Sequence, residues 1–257
     1  MVILFFNGSL SQIYPVSWIG IVSSLLTQLL KTFIRMLPKQ LNLKPYHDLQ
    51  RKMSNQVIKT DEFGTIRYIA GTDVAYHKHE DRMVGAFVVL DAKTLEVVDQ
   101  AHHEMETTFP YIPGLFSFRE IPPLLEAYQK LQIKPDLIVC DAQGIAHPKG
   151  VGMATHLGIE LNVPTIGCAK KRLVGQFDAN ALAVARGSQQ PLRMRDKTIG
   201  VALRTQDSIK PLFISIGHRI ALATAIKWVL HLTPKYRLPE TTRQADQLVN
   251  RVLKHSE

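Results

Sequence analysis

The stretch "PDLIVCDAQGIAHPKGVGMATHLGIELNVPTIGCA", residues 135–169, decides the fold. "PDLIVCD" (135–141) is a short apolar run ending in a carboxylate, and "VPTIGCA" (163–169) is a second such run. Continuous apolar runs of this length, bounded by turn residues, read as strands buried on both faces. Between them "GVGMATHLGIELN" (150–162) has the length and spacing of a helix. Strand, helix, strand is the unit that lays two strands parallel.

Upstream, "IRYIAGTDVAY" (66–76) is rich in β-branched and aromatic residues and also carries an aspartate near its end. "MVGAFVVLD" (83–91) and "TLEVVDQAHHEMETT" (94–108) flank the two residues "AK", a connection suited to a hairpin. Next comes "TTFPYIPGLFSFREIP" (107–122). Pro110 and Pro113 fix φ and lack an N–H, so Tyr111 and Ile112 between them belong to neither a helix nor a central strand. The segment reads as a stiff loop tip presenting an aromatic ring. From Gly114 to Leu131 the spacing of Leu124, Leu125, Tyr128 and Leu131 predicts a helix, which Pro122-Pro123 begins or kinks. Downstream, "KTIGVALRT" (197–205) and "PLFISIG" (211–217) predict strands, followed by a helix over 220–232. Residues 177–197 are small, polar and without period, and read as a variable surface loop. The fold class is α/β: a mixed β-sheet, an antiparallel meander joined to parallel strands, with helices on both faces.

The chain has 257 residues and 46% hydrophobic composition, enough for a sizeable core and against intrinsic disorder. Lysine and arginine outnumber aspartate and glutamate 31 to 22, a net charge of +9. Such an excess points to a polyanionic partner, nucleic acid or anionic lipid. Residues 181–210 hold six basic residues against two aspartates. Cys140 and Cys168 lie in apolar runs, which fits buried reduced thiols and neither a disulfide framework nor a zinc site. Residues 1–42 form an apolar extension with no charge before Lys31. It is expected to be a docked helix or the product of an upstream start, rather than a membrane anchor. The globular domain is expected over 43–257.

Two of the predicted strands end in aspartates, Asp73 and Asp141. On neighbouring strands they would meet at one end of a buried sheet, where like charges cannot both ionise cheaply without a cation between them. Glu120, on the helix after the proline loop, is a third oxygen donor. Such a set suits Mg²⁺ or Mn²⁺, the ions that cut phosphodiesters when placed roughly 3.5–4 Å apart. The bland alternative makes each aspartate a strand-end cap and Glu120 the neutraliser of Arg119. Lys170, first of three consecutive basic residues, would contact phosphate or orient water; at least two of the three are expected to be solvated. His147 sits in the loop after Asp141, and His218 at the end of another strand. His77, His79, His102 and His103 read as surface positions on a hairpin.

Taken together and in order, "IAGTDVAY", "FPYIPGLFSFREIP", "PDLIVCDAQGIAHPKGVGMATHLG", "VPTIGCAKKRLVG", "PLFISIGHRI" and "YRLPETTRQAD" resemble the endonuclease V family of deoxyinosine-directed nucleases, from about Leu43 to Asp246. The resemblance implies a ribonuclease H-like fold and Mg²⁺-dependent hydrolysis of the second phosphodiester 3′ to a deoxyinosine, leaving 3′-hydroxyl and 5′-phosphate ends. It implies an acidic site of Asp73, Glu120 and Asp141, with Lys170 and His218 as further catalytic groups. Asp246 stands where some members have another acidic residue. Pro110, Tyr111, Ile112 and Pro113 are implied to wedge open the strands, Gly114, Phe116, Ala142 and Gly144 to shape the base pocket, and His147 to line it. Mn²⁺ is expected to substitute for Mg²⁺, with no nucleotide cofactor. The expected protein is a cytoplasmic monomer acting on double- or single-stranded DNA. The alternatives are a nuclease of inosine-containing RNA and a non-catalytic nucleic-acid-binding module. One departure stands out: the bacterial pattern Asp-Gly-His-Gly is here Asp141-Ala142-Gln143-Gly144, which places strictness of lesion recognition in question.

Overall fold

Among the described residues, eight strands form one sheet: β1 (Tyr68–Tyr76), β2 (Arg82–Asp91), β3 (Val97–Glu106), β4 (Leu137–Cys140), β5 (Thr165–Ala169), β6 (Gln189–Met194), β7 (Lys197–Leu203) and β8 (Leu212–His218). Their order across the sheet is β3-β2-β1-β4-β5-β8-β7-β6. The meander β1-β2-β3 is antiparallel, β1-β4-β5 is parallel, and β5-β8-β7-β6 is antiparallel again. The computed structural model describes residues 41–256. Its helices are α1 (Lys44–Gln56), α2 (Phe116–Lys130), α3 (Met153–Leu161), α4 (Leu222–His231) and α5 (Glu240–Ser256). Residues from Tyr46 onward form one compact unit. The expectations for residues 1–40 lie outside the described residues. Among those described, no helix is long and apolar enough to cross a membrane.

The period of two along β2 separates the layers. Val84, Ala86, Val88 and Leu90 face Ala245, Leu248 and Val249 of α5. Phe87 and Val89 face the other way, with Ile121, Leu124 and Ala127 of α2 and Ala154 and Leu157 of α3. On β4, Ile138 and Cys140 join that α2–α3 cluster, while Leu137 and Val139 pack with Ala225 and Val229 of α4. The two cysteines are buried and free.

Four elements differ from the sequence expectation. Residues 189–194 are an edge strand, β6, paired to β7, where a loop was expected. Its pattern is polar because only Leu192 enters the core, and an edge strand admits Pro191 because one row of its N–H groups has no partner strand. The Pro122-Pro123 pair does not divide the helix: α2 runs unbroken through both. Gly85 of β2 leaves the room, since a Cβ there would lie 2.9 Å from Pro123. Lastly α1 and α5 had no counterpart in the sequence reading, although α5 repeats Ala245, Leu248, Val249, Val252 and Leu253 at helical spacing.

The first turn of α5 lies on the backbone of β1. A Cβ on Gly71 would stand 2.1 Å from the carbonyl carbon and oxygen of Thr241, backbone that cannot rotate aside. Gly71→Ala is therefore expected to cost about 3 kcal/mol, the upper end for overpacking. For a domain of this size the melting temperature would fall by roughly 6–12 °C; a thermal melt monitored by circular dichroism checks it.

Candidate active site

Thr72 pairs with Cys140 across the parallel strands β1 and β4. The next residue of each, Asp73 and Asp141, therefore stand side by side at the C-terminal end of β4. Both continue the α4–α5 face of the sheet, by alternation from Ile69 and Val139. Burial, reinforced by the charges of Asp141 and Asp246, pushes the Asp73 carboxyl up to about 7. Burial also raises Asp141, against the pull of Lys170. Lys170 follows β5 and forms an ion pair with Asp141. Partial burial works against its charge, but Asp141, Asp73 and Asp246 together carry its pKa upward. Asp246 thus belongs to the cluster, delivered by α5 through the close approach at Gly71. Its isolation near the chain's end hid this from residue spacing, and only the family resemblance pointed to it.

Glu120 reaches the same place from α2. It is 7% exposed, and burial lifts its pKa to about 8; Asp73 and Asp141 add to the rise and the hydroxyl of Tyr76 opposes it. The Tyr76 hydroxyl donates to Glu120 Oε1 at 3.2 Å.

Four carboxylates and one ammonium therefore share one end of the sheet. Among the described residues, no three histidine, cysteine, aspartate or glutamate side chains are gathered so as to hold a metal ion as they stand. In its chemistry the donor set fits a hard divalent cation. It offers oxygen only, and burial together with neighbouring carboxylates raises Asp73, Glu120 and Asp141.

The proline loop stands beside this cluster. Leu115 N–H donates to Ile112 O at 2.9 Å, closing a β-turn with Pro113 second and Gly114, at φ +81°, third. That is the type II pattern, with proline and glycine each where the turn requires them. Tyr111 is 67% exposed at the tip, its ring edge-on to Phe116 at 5.6 Å. The loop is held from behind. Gln50 of α1 donates to Gly114 O at 2.7 Å, Arg119 Nη1 donates to Phe109 O at 2.8 Å, and Tyr46 packs edge-on against Phe109 and Phe118.

The other expected residues divide. His218 does not join the carboxylates: it pairs with Thr165 at the start of β5, whereas Lys170 follows the end of β5, where Ala169 pairs with Phe213. Because β8 runs antiparallel to β5, the end of its chain sequence is the far end of the sheet. There His218 Nδ1 accepts from the Ile58 N–H at 3.4 Å. Gly144 is tightly packed. Its N–H donates to Ser215 Oγ at 2.9 Å, its carbonyl accepts from Gly152, and a Cβ would meet Ile216 O at 2.1 Å. The Ala142 methyl packs on the α2–α3 cluster, and Gln143 Nε2 donates to Lys171 O at 2.8 Å. His147 is buried, which lowers its pKa to about 4 and keeps it neutral. His77, expected at the surface, is buried against Glu104, which also receives Arg82. Part of the basic charge in 181–210 is structural: Arg186 donates to the carbonyls of Leu230 and Thr233, and Arg204 to those of Ala183 and Ile209.

The model of the family described as Endonuclease V matches residues 51–247. A protein named Endonuclease V from Nostoc punctiforme is 49% identical over 203 residues, 79% of this chain and 91% of its own length. The crystal structure of Endonuclease V from Streptomyces avermitilis superposes with a TM-score of 0.79 at 44% identity, covering 83% of this chain and 93% of that one. Endonuclease V of Ciona intestinalis, in complex with a 24mer DNA containing an inosine followed by a ribo-adenosine, gives a TM-score of 0.73 at 26% identity, covering 84% and 99%. The mixed sheet shared with such structures is a ribonuclease H-like fold.

Proposed function

We infer that this chain, which belongs to the endonuclease V family, cuts DNA beside a deoxyinosine. The bond is the second phosphodiester 3′ to the lesion, and water is the nucleophile, leaving 3′-hydroxyl and 5′-phosphate ends. The observation that carries this reading is the junction of a rigid, exposed aromatic tip, Tyr111, with a buried cluster of carboxylates through one helix, α2. The Ciona relative bound to inosine-containing DNA supports the substrate class.

Asp73, Asp141 and Glu120 would hold the divalent cation, Mg²⁺ or Mn²⁺, with Asp246 adding negative charge beside them. Bound there, the cation would act as a Lewis acid and lower the pKa of water. Lys170 is oriented by Asp141 and has three N–H donors, so it can hold Asp141 and a phosphate oxygen together. The tip acts earlier. Extruding a base costs a few kcal/mol, least for a poorly paired one, and Pro110 with the type II turn that follows Tyr111 reduces the backbone entropy lost as the ring stacks in the gap.

Tyr111→Ala is accordingly expected to weaken binding to a deoxyinosine duplex by about 10-fold, within the 1–3 kcal/mol of one aromatic stack. Its high exposure leaves thermal stability unchanged. Gel-shift titration in EDTA measures the first, and a melt the second. Substrate choice is tested by cutting rates on matched strands carrying deoxyinosine in DNA or inosine in RNA. Faster cutting of DNA is expected. Cutting confined to RNA would replace this reading with a ribonuclease, and binding without cutting of either would leave a recognition module.

A further inference from the structure

Asp73 and Tyr76 are three residues apart on β1, so they leave opposite faces of the strand. Asp73 lies on the α5 side, and Tyr76 turns to α2. There the Tyr76 hydroxyl donates to Glu120 Oε1 at 3.2 Å. The guanidinium of Arg119, the residue before Glu120, lies 4.9 Å from the centre of the Tyr76 ring. The same guanidinium donates from Nη1 to the carbonyl of Phe109 at 2.8 Å, one residue before Pro110. Phe109 is in turn fixed by the rings of Tyr46 at 4.9 Å and Phe118 at 6.1 Å. An unbroken series of contacts thus runs from the root of the exposed loop to a carboxylate of the cluster.

We propose that Tyr76 and Arg119 are positioning residues that join the loop to Glu120, so that the contacts seating the loop also set Glu120 for a cation. The proposal rests on the function inferred above and assigns roles to two residues outside its acidic set. Each part suits its task. The tyrosine hydroxyl occupies Oε1, leaving Oε2 as the oxygen free to turn toward Asp73 and Asp141. Arginine supplies a flat fork that can stack on the ring and still reach a carbonyl, which the point charge of a lysine cannot reproduce. Arg119 and Glu120 are consecutive on one helix, so a displacement of the loop at Phe109 is carried to the backbone that bears the carboxylate. A deoxyinosine that seats the loop therefore completes the cutting site, and an ordinary pair, which does not, leaves it loose.

Tyr76→Phe keeps the ring and its stacking and removes only the hydroxyl. Mn²⁺ binding to the DNA-free protein, followed by the electron paramagnetic resonance of the free ion, reads the effect without catalysis. Tyr76→Phe is expected to weaken Mn²⁺ binding by about 10-fold or more, the range for losing a group that orients a ligand, with affinity for the deoxyinosine duplex in EDTA held within about twofold. In single-turnover cutting, the Mg²⁺ concentration for half-maximal rate should rise by the same factor while the rate at saturating Mg²⁺ is largely restored. Arg119→Lys, a second variant that keeps the charge, is expected to weaken Mn²⁺ and duplex binding together. Wild-type affinity for Mn²⁺ in Tyr76→Phe would overturn the proposal and leave the inferred function standing. A wild-type protein that binds no Mn²⁺ either alone or with the deoxyinosine duplex would overturn both.

Discussion

Asp73→Asn is expected to slow single-turnover cutting of a deoxyinosine duplex on the order of 10³-fold, the scale for removing one member of a catalytic unit. The change keeps the shape of the side chain and removes the charge that the cluster gathers around. Three features make Asp73 the member whose loss should cost most. It stands beside Asp141 by strand register, its charge raises the pKa of Glu120, and it is one of the charges that raise the pKa of Lys170. Binding to the duplex in EDTA should persist, because Tyr111 and the loop behind it are held by Gln50, Arg119 and Tyr46 without help from β1 at residue 73. A variant that neither cuts nor binds would instead mean that Asp73 supports the fold of the loop.

The second expectation concerns stability. A carboxyl whose folded pKa exceeds its unfolded value binds more protons folded than unfolded, so stability falls as pH rises between the two values. For Asp73 that window runs from 3.8 to about 7, and for Glu120 from 4.5 to about 8. His147 and His156 work in the opposite sense: burial holds each near 4 against an ordinary 6.5, so their contribution is lost as pH falls through that interval. Above pH 6.5 the histidines are silent and only the carboxylates act. Between pH 6.5 and 8.5, the metal-free protein should lose on the order of 2–3 kcal/mol, since a displacement of one pH unit is worth about 1.4 kcal/mol. That corresponds to a melting temperature lower by roughly 5–10 °C. Mg²⁺ should recover most of the loss at pH 8.5 and little at pH 6.5, because a cation neutralises the repulsion that deprotonation creates. Melts in EDTA and in Mg²⁺ across this range, with Glu120→Gln as the flattened control, measure it.

The central sheet was legible in the sequence because its strands are buried on both faces and contain few polar residues. β1, β2, β4, β5 and β8 all read as apolar runs, and their order implied parallel neighbours. β6 was illegible for the converse reason: an edge strand with one core residue, Leu192, has no period to detect. The unbroken α2 depends on Gly85, a residue on another element, so a local rule about prolines could not foresee it. Of the candidate site, Asp73, Glu120, Asp141 and Lys170 were visible because each follows or faces a recognisable strand end. His218 looked equivalent, since it also ends a strand, but strand direction is a property of topology, and β8 points away. Asp246 showed the reverse case. No strand end or helical spacing near it marks it, so the family resemblance alone pointed to it, and the contact that brings it in is the bare backbone of Gly71.

The most direct measurement is the cutting of a labelled duplex carrying one deoxyinosine, with the product mapped to the nucleotide, in Mg²⁺ and in EDTA. A single cut at the second phosphodiester 3′ to the lesion, present in Mg²⁺, absent in EDTA and absent from a matched deoxyadenosine duplex, is the predicted result. Cutting that persists in EDTA, or that ignores the lesion, would contradict the account of a carboxylate cluster armed by the loop beside it.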